Sequence, residues 1–215
     1  MWHSLNESHK DYAINYEGFK CYHPDYCPFV GFIDRTHSNN NLAKYATLVE
    51  KFFVVGNKPL YSKPLTLHND LVCNQMVLRQ AIKTELPSPI VELVTKQQKI
   101  DLSVLINLVQ PGYFKDKTAQ LGNYFGIYKN GQLIAVTGQR MRMHKFIEVS
   151  AVVTHPAHIR KGYAKQLVIH TTNQIFKHNC TPYLHVAETN EGAIKLYEKL
   201  GFVTRRKISF WNMKR

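Results

Sequence analysis

The segment that most constrains the fold is residues 152–167, in which an apolar strand leads through a short basic turn into a helix. The turn contains Arg160, Lys161 and Gly162, and the residues after it follow helical periodicity. The first N–H groups of a helix have no partner inside the helix, and the helix dipole makes this end positive. A phosphate or pyrophosphate is the natural ligand of such a point. The other interpretation is a solvated turn whose two cations bind nothing.

The net charge is distributed unevenly along the chain. The 215 residues carry a formal net charge of +13. Residues 1–95 contain nine basic and nine acidic residues, whereas residues 96–215 contain nineteen basic and six acidic ones. The whole excess therefore lies in the half that contains the basic turn. A basic field attracts anions, and an anionic cofactor, nucleic acid and an acidic surface are all compatible with it. A basic surface without a specific partner also fits these counts.

Leu86-Pro87-Ser88-Pro89 indicates a boundary, because two prolines interrupt regular structure close to the shift in charge. We therefore predict an N-terminal α+β domain over residues 1–88 and a second domain over residues 89–215. The first part is predicted to contain strands at 12–22, 52–55 and 71–78 and a helix at 42–50. No motif in it points to a chemical function.

The second part alternates strands and helices. Strands are predicted at 90–94, 124–128, 133–137, 146–154 and 183–187, helices at 100–109, 162–178 and 190–200, and one or two final strands within 202–213. Asn130-Gly131 predicts a tight hairpin between the second and third of these strands. This order predicts an α/β (α+β) fold with a mixed, mostly antiparallel sheet flanked by helices.

A second block, residues 190–202, predicts a helix that ends at Gly201 in the left-handed conformation. Residues 90–215 resemble the GNAT superfamily of acyl-CoA-dependent N-acyltransferases. The resemblance depends on the order and spacing of four segments: Thr154-His155-Pro156, Lys161-Gly162-Tyr163-Ala164, residues 183–186 and the block at 190–202. Gly162-Tyr163-Ala164 and Pro111-Gly112-Tyr113-Phe114 resemble its glycine-N-acyltransferase-like branch. One position departs from the family's loop, since Ile159 stands where Arg or Gln is common. Backbone donors in the loop do not depend on that side chain.

The resemblance implies acetyl-CoA as the acyl donor, with its pantetheine arm along the strand at 146–154 and its pyrophosphate at the basic turn. The residues that it assigns to cofactor binding are Val152, Val153, Thr154, Arg160, Lys161, Gly162, Tyr163, Ala164, Lys165 and Asn190. A backbone N–H on the strand would face the thioester oxygen and stabilise the oxyanion that forms there. Asn190 is equally well explained as the N-cap of a helix.

Tyr197 stands where many members of the superfamily carry a tyrosine that protonates the departing thiolate. A hydroxyl with an ordinary pKa near ~10 is protonated at neutral pH and can serve as such an acid. The other interpretation places Tyr197 in the core, because Ile194, Tyr197 and Leu200 share one face of the helix.

Glu148 is a lone charge within an apolar strand, and an unpaired charge there would be costly to bury. Two roles explain it: a base, or a holder of a basic water, for the attacking amine, or a salt bridge to Arg140 or Arg142. Glu188 is the reserve candidate for the base. No catalytic role is assigned to His155 or His185.

The function predicted is an N-acetyltransferase that moves an acetyl group from acetyl-CoA to a primary amine by direct attack. Two alternatives remain: a nucleic-acid-associated protein that uses Arg205-Arg206-Lys207, and a scaffold that binds acyl-CoA without catalysis. No nucleic-acid motif accompanies these basic residues, so nucleic acid is not the expected partner. Small metabolites, amino acids, a protein N-terminus and lysine side chains all remain possible acceptors.

Compartment and metal content follow from simpler counts. No apolar run approaches the ~20 residues of a membrane span, and no signal-peptide pattern is visible, so we expect a cytoplasmic protein. The four cysteines lack the spacing of a zinc site, so we expect reduced thiols and no metal.

Overall fold

Eleven strands form one sheet in the computed structural model, which describes residues 1–215. The strands are β1 (Ala13–Tyr16), β2 (Phe19–Tyr22), β3 (Phe29–Phe32), β4 (Lys51–Val55), β5 (Thr66–Val77), β6 (Val91–Glu92), β7 (Tyr124–Lys129), β8 (Gln132–Met143), β9 (Phe146–Thr154), β10 (Thr181–Ala187) and β11 (Val203–Lys214). The helices are α1 (Trp2–Asn6), α2 (Ser38–Tyr45), α3 (Lys96–Val109), α4 (Tyr163–Lys177) and α5 (Glu191–Lys199).

The order of the strands across the sheet is β1-β2-β3-β4-β11-β5-β10-β9-β8-β7-β6. Two neighbouring pairs are parallel, β3 with β4 and β9 with β10, and the other pairs are antiparallel. The predicted mixed, mostly antiparallel sheet flanked by helices is therefore confirmed. No helix of this structure has both the length and the apolar character of a membrane-spanning segment.

The sheet is continuous across the division predicted near residue 88. β5 lies between β10 and β11, and β4 pairs with the other side of β11, although both β4 and β5 precede residue 88. The proline-containing segment crosses α4 instead of linking two sheets. There the Ser88 N–H donates to Gln166 Oε1 at 3.0 Å, and the Ile82 N–H donates to Asn173 Oδ1 at 3.1 Å. The two parts of the chain therefore share strand pairing, because β5 belongs to the same sheet as β10 and β11.

Two apolar clusters cover opposite faces of the central strands. Along β10, alternate side chains belong to different clusters: Leu184 to one and Tyr183 to the other. The first cluster contains the inner stripes of α4 and α5, including Val168, Ile175 and Tyr197. The second contains residues of the N-terminal strands, including Phe29 and Phe53. The central strands are thus enclosed on both faces, which explains the apolar run that the sequence shows in β9.

Local signals set several element boundaries. Asn130 and Gly131 have φ angles of 51° and 77°, and they form the predicted hairpin turn between β7 and β8. α5 begins after Asn190, whose side chain accepts a hydrogen bond from the Ala193 N–H at 3.1 Å. It is followed by Gly201 with a φ of 89°, as expected for a left-handed end.

Three element predictions need correction. Residues 12–22 form the hairpin β1–β2 rather than one strand, because the chain reverses at Gly18, where φ is 62° and the His37 ring lies too close for a Cβ. α2 begins at Ser38 and ends at Tyr45, several residues before the predicted helix over 42–50. The strand predicted at 90–94 is only Val91–Glu92, at the edge of the sheet.

Candidate active site

β9 and β10 diverge, and their divergence opens a cleft in the sheet. Their parallel pairing runs only from Phe146 opposite Thr181 to Glu148 opposite Tyr183. Beyond this point β10 continues beside β5, and β9 continues beside β8. The cavity between them, the interstrand cleft, has a volume of about 410 Å³ and is lined by β9 residues 149–152, β10 residues 184–187 and side chains from α4 and α5. A split of this kind exposes backbone groups that a regular sheet would pair.

β9 carries a β-bulge beside the cleft. Val153 lies opposite Val136 and Ser150 lies opposite Gly138, so the two residues between them on β9 face a single residue on β8. One of these two, Ala151, has a φ of 51°. An extra residue in a bulge is left out of the ladder. The ladder between β8 and β9 is therefore interrupted at a residue that lines the cleft.

The three β9 residues predicted to bind the cofactor, Val152, Val153 and Thr154, lie in different surroundings. Val152 lines the cleft. Val153 is buried in an apolar cluster with residues of α3, and its register position is opposite β8, as is that of Thr154. A ligand in the cleft is therefore closer to the bulge at 151–152 than to the end of the strand.

The basic turn ends at the N-terminus of α4 and presents unpaired donors. Arg160 and Gly162 have φ angles of 60° and 80°, and Gly162 is the N-cap of α4. The backbone N–H groups of residues 159–165 donate no hydrogen bond within the protein; the first donor of the helix is the Gln166 N–H, which bonds to the Gly162 carbonyl. A row of free N–H groups at a helix N-terminus favours an anion.

The side chains of the turn add positive charge, and no acidic side chain neutralises it. Arg160, Lys161 and Lys165 are exposed, and none of them is paired with a carboxylate. Ala164, in the first turn of α4, lines the interstrand cleft, so the turn and the cleft adjoin. Tyr163 packs at the edge of an apolar cluster. The loop residues predicted for the cofactor are thus together at one end of the cleft.

Asn190 and Tyr197 line the cleft from α5. Asn190 is also the N-cap of this helix, because its side-chain oxygen accepts the Ala193 N–H. Tyr197 is 7% exposed, and its ring packs against Phe202 with 5.7 Å between the ring centroids. Burial raises the pKa of Tyr197 to about 12, and its hydroxyl has no hydrogen-bond partner in the protein. The phenol is therefore protonated at neutral pH and free to donate into the cleft.

Glu148 is at the point where β9 and β10 separate, and its carboxylate is fully engaged. Arg140 Nε donates to Oε2 at 2.9 Å, and Arg140 Nη2 donates to Oε1 at 3.2 Å. His185 Nδ1 lies 2.8 Å from Oε1. Burial raises the pKa of Glu148, but the Arg140 charge and the hydrogen bonds from His185 and Arg140 outweigh burial and hold the pKa well below its ordinary value. Glu148 is therefore an anion held in a salt bridge with Arg140, and not with Arg142.

The hydrogen bonds of Gln75 indicate which ring nitrogen of His185 is the donor and which is the acceptor. Gln75 Oε1 accepts from Arg205 and Arg206, which can only donate, so its Nε2 is the atom that faces His185 Nε2 at 3.0 Å. His185 Nε2 is then an acceptor, and Nδ1 carries the proton given to Glu148. In this neutral tautomer the single lone pair of Nε2 accepts the hydrogen bond from Gln75, so Nε2 can take a proton only after that hydrogen bond is broken.

A second cavity begins on the far side of these residues. It has a volume of about 490 Å³, and it shares Arg140, Glu148, His185 and Phe210 with the interstrand cleft. Most of its other walls come from β5, β8, the turn after β8, β11 and the first residues of the chain. The two cavities thus meet at one ionic group in the middle of the sheet.

Sequence reasoning missed His185 and Gln75. Tyr183 lies opposite Glu148, and the alternation of β10 places His185 on the same face as Tyr183. The available signal was therefore that a buried carboxylate needs a hydrogen-bonding partner on the neighbouring strand. Gln75 carried no such signal, because its strand, β5, joins β10 only in the folded sheet.

The reserve and unassigned residues lie elsewhere. Glu188 pairs with Lys207 at 2.7 Å at the surface and lines neither of the two cavities. His155 Nδ1 accepts from the Ala157 N–H at 3.2 Å, a local role in the turn. The four cysteines are free and buried, and no three His, Cys, Asp or Glu side chains are grouped to hold a metal ion.

Residues 97–202 match the model of the Acetyltransferase (GNAT) family. The matched segment contains the bulge of β9, the basic turn, Glu148, His185 and Tyr197. No curated protein matches the sequence.

Solved structures share the whole fold at low sequence identity. A GNAT-family protein of Novosphingobium aromaticivorans superposes with a TM-score of 0.90 at 24% identity, covering 100% of this chain and 96% of its own. A GCN5-related N-acetyltransferase from Kribbella flavida gives a TM-score of 0.63 at 11% identity, covering 94% and 88%. A GCN5-related N-acetyltransferase-like protein from Streptococcus suis gives 0.55 at 13% identity, covering 85% and 78%. These likenesses establish the fold, including the strands before residue 88.

Proposed function

We propose that the protein transfers an acetyl group from acetyl-CoA to a primary amine by direct attack of the amine on the thioester, a proposal that the match of residues 97–202 to the GNAT acetyltransferase model supports. The observation that carries this proposal is a continuous path. It runs from the unpaired N–H groups of the basic turn, through the interstrand cleft, to Tyr197 and the Glu148–His185 pair.

The basic turn and the interstrand cleft are suited to acetyl-CoA as the acyl donor. The N–H groups of residues 159–165 and the exposed charges of Arg160, Lys161 and Lys165 would hold the pyrophosphate. The pantetheine arm would lie in the cleft beside the bulge at 151–152, with Asn190 at its other wall. A free backbone N–H at the bulge would stabilise the negative charge that develops on the thioester oxygen.

Two side chains would move protons. As the amine nitrogen bonds to the carbonyl carbon, it must lose a proton, and His185, which lines both cavities, would accept it at Nε2 when the incoming amine displaces the Gln75 amide. Glu148 then acts through His185: it fixes the tautomer and stabilises the imidazolium that forms. As the C–S bond breaks, the Tyr197 hydroxyl gives its proton to the thiolate. Direct proton transfer to Glu148 is less favourable, because its low pKa makes it a weak base.

Two finer assignments belong to the same proposal. Gly162-Tyr163-Ala164 and Pro111-Gly112-Tyr113-Phe114 support placement in the glycine-N-acyltransferase-like branch. The four cysteines are buried and unpaired, an arrangement that fits action in the cytoplasm.

The test measures ligand-dependent melting and then turnover. Acetyl-CoA at about 100 times its Kd stabilises a folded protein by about 2.7 kcal/mol. For a chain of this size, that is a rise in Tm of roughly 5–11 °C. Thiol release from acetyl-CoA in the presence of a panel of primary amines then measures transfer.

The matched variants are Gly162→Glu and Gly131→Glu. Both glycines have left-handed φ angles, 80° and 77°, and neither has an atom within 4 Å of an added Cβ, so the backbone strain is alike. Only Gly162→Glu places a carboxylate at the pyrophosphate position, so only this variant should lose the acetyl-CoA shift. A wild-type protein without a shift at millimolar acetyl-CoA would contradict the proposal.

A further inference from the structure

β11 carries a β-bulge where it passes β5. Thr204 lies opposite Met76 and Arg206 lies opposite Gln75, so Arg205 is the extra residue. In a regular strand two successive side chains point to opposite faces. Here both arginines line the second cavity and both donate to Gln75 Oε1, at 3.4 and 3.1 Å. The bulge therefore brings two guanidinium groups to one oxygen.

These two charges have no acidic partner. No carboxylate lies within 4.0 Å of Arg205 or Arg206, and the same holds for Lys145, a third cation of the cavity. Their shared acceptor, Gln75, is a neutral amide. Two like charges that converge on a neutral oxygen repel each other, and an anion placed between them would remove that cost.

The acidic groups of the cavity are already engaged. Glu148 is paired with Arg140 and hydrogen-bonded to His185. Glu7 accepts the His144 N–H at 2.8 Å, and its other oxygen is 3.7 Å from His3. The second cavity therefore presents uncompensated positive charge on the β11 side and a neutralised anion on the β9 side.

We infer that the second cavity binds the acyl acceptor by an anionic group, a carboxylate or a phosphate, held by Arg205 and Arg206. The planar guanidinium fork matches both anions in bidentate geometry. The Gln75 side chain contacts both the arginines and His185, so a short acceptor that takes its place would put its anion at the arginines and its amino group at Nε2. A cavity of about 490 Å³ has the size of a small-molecule site. The acceptor is thus a small primary amine with one acidic group, an assignment that rests on the proposed acetyl transfer.

The experiment compares matched pairs of amines in the thiol-release assay with acetyl-CoA. One pair is β-alanine and β-alaninamide, which tests a carboxylate; the other is 2-aminoethyl phosphate and ethanolamine, which tests a phosphate. The anionic member of at least one pair should have a kcat/KM about tenfold to hundredfold higher, the range for one charge-assisted hydrogen bond. Which pair shows the larger ratio identifies the anion.

The variants are Arg205→Gln with Arg206→Gln, and Arg35→Gln as the control. Arg35 is exposed and remote from both cavities, so its substitution should leave every ratio unchanged. The double variant should lose the preference for the amine with an acidic group, because its KM for that amine rises. It should keep the melting shift by acetyl-CoA, which shows that the domain is folded. In the wild type, added salt should raise KM for the anionic amine only, because the arginines are exposed.

The outcomes separate the two proposals. Thiol release that is as fast with the amines that lack an acidic group as with those that carry one would overturn the anion site and leave acetyl transfer standing. A preference that survives in the double variant would also overturn it. Absence of release with every amine, despite a melting shift, would overturn acetyl transfer and with it the anion site.

Discussion

Replacing Glu148 by Gln should destabilise the fold, because it removes the only negative charge paired with Arg140. The Glu148 side chain is 2% exposed and that of Arg140 is 17% exposed, so water cannot replace the lost partner fully. Removing one member of a buried ion pair costs about 3–5 kcal/mol. Because Arg140 keeps some access to solvent, we expect the lower end, about 3 kcal/mol, in the free energy of unfolding. For a chain of this size, that corresponds to a fall in Tm of roughly 6–12 °C.

Urea unfolding followed by circular dichroism measures this change. The double variant Glu148→Gln with Arg140→Met removes both charges and keeps the length of the side chain at 140, so it should be less destabilised than the sum of the singles by at least ~1 kcal/mol. Glu191→Gln is the surface control. Its ion pair with Lys195 is 3.5 Å long and mostly exposed, so its loss should change stability by less than about 0.5 kcal/mol.

Acid unfolding gives an independent check on the same pair. The folded-state pKa of Glu148 lies below its ordinary value of about 4.3, since Arg140 and His185 outweigh burial. Such a carboxylate contributes its stability above the unfolded-state pKa and loses it as pH falls below that value. The wild type should therefore lose stability below pH ~4.3 more steeply than Glu148→Gln. A Gln variant within ~0.5 kcal/mol of the wild type at neutral pH, with a parallel acid profile, would refute this reasoning.

The remaining predictions concern turnover on an accepted amine. Tyr197→Phe should lower kcat by roughly 10²–10⁴ with little change in the melting shift by acetyl-CoA, since the hydroxyl acts as charge develops on sulfur; normal turnover would return Tyr197 to a packing role. An activated aryl thioester, whose thiolate needs less protonation, should recover part of the lost rate. His185→Gln should lower kcat by a similar factor with little change in the acetyl-CoA melting shift, whereas an unchanged kcat would exclude His185 as the proton acceptor.

The sequence by itself determined what depends on neighbours along the chain. The basic turn, the cap at Asn190, the hairpin at Asn130-Gly131 and the end of α5 at Gly201 are each set by residues within a few positions. Helical periodicity and glycine conformation act over that range, so a single sequence reveals them. The same local signals placed the basic turn and the Tyr197 helix in the right order.

Tertiary structure decided what depends on strands that are distant in sequence. β5 enters the sheet between β10 and β11, and only that insertion brings Gln75 to His185 and to the two arginines of β11. The choice of Arg140 rather than Arg142 as the partner of Glu148 follows from a register shift between β8 and β9. Strand order, register and bulges are set by hydrogen bonds and packing between segments that the sequence pattern treats as independent. The group of His185, Gln75 and the two arginines is therefore visible only in the folded sheet.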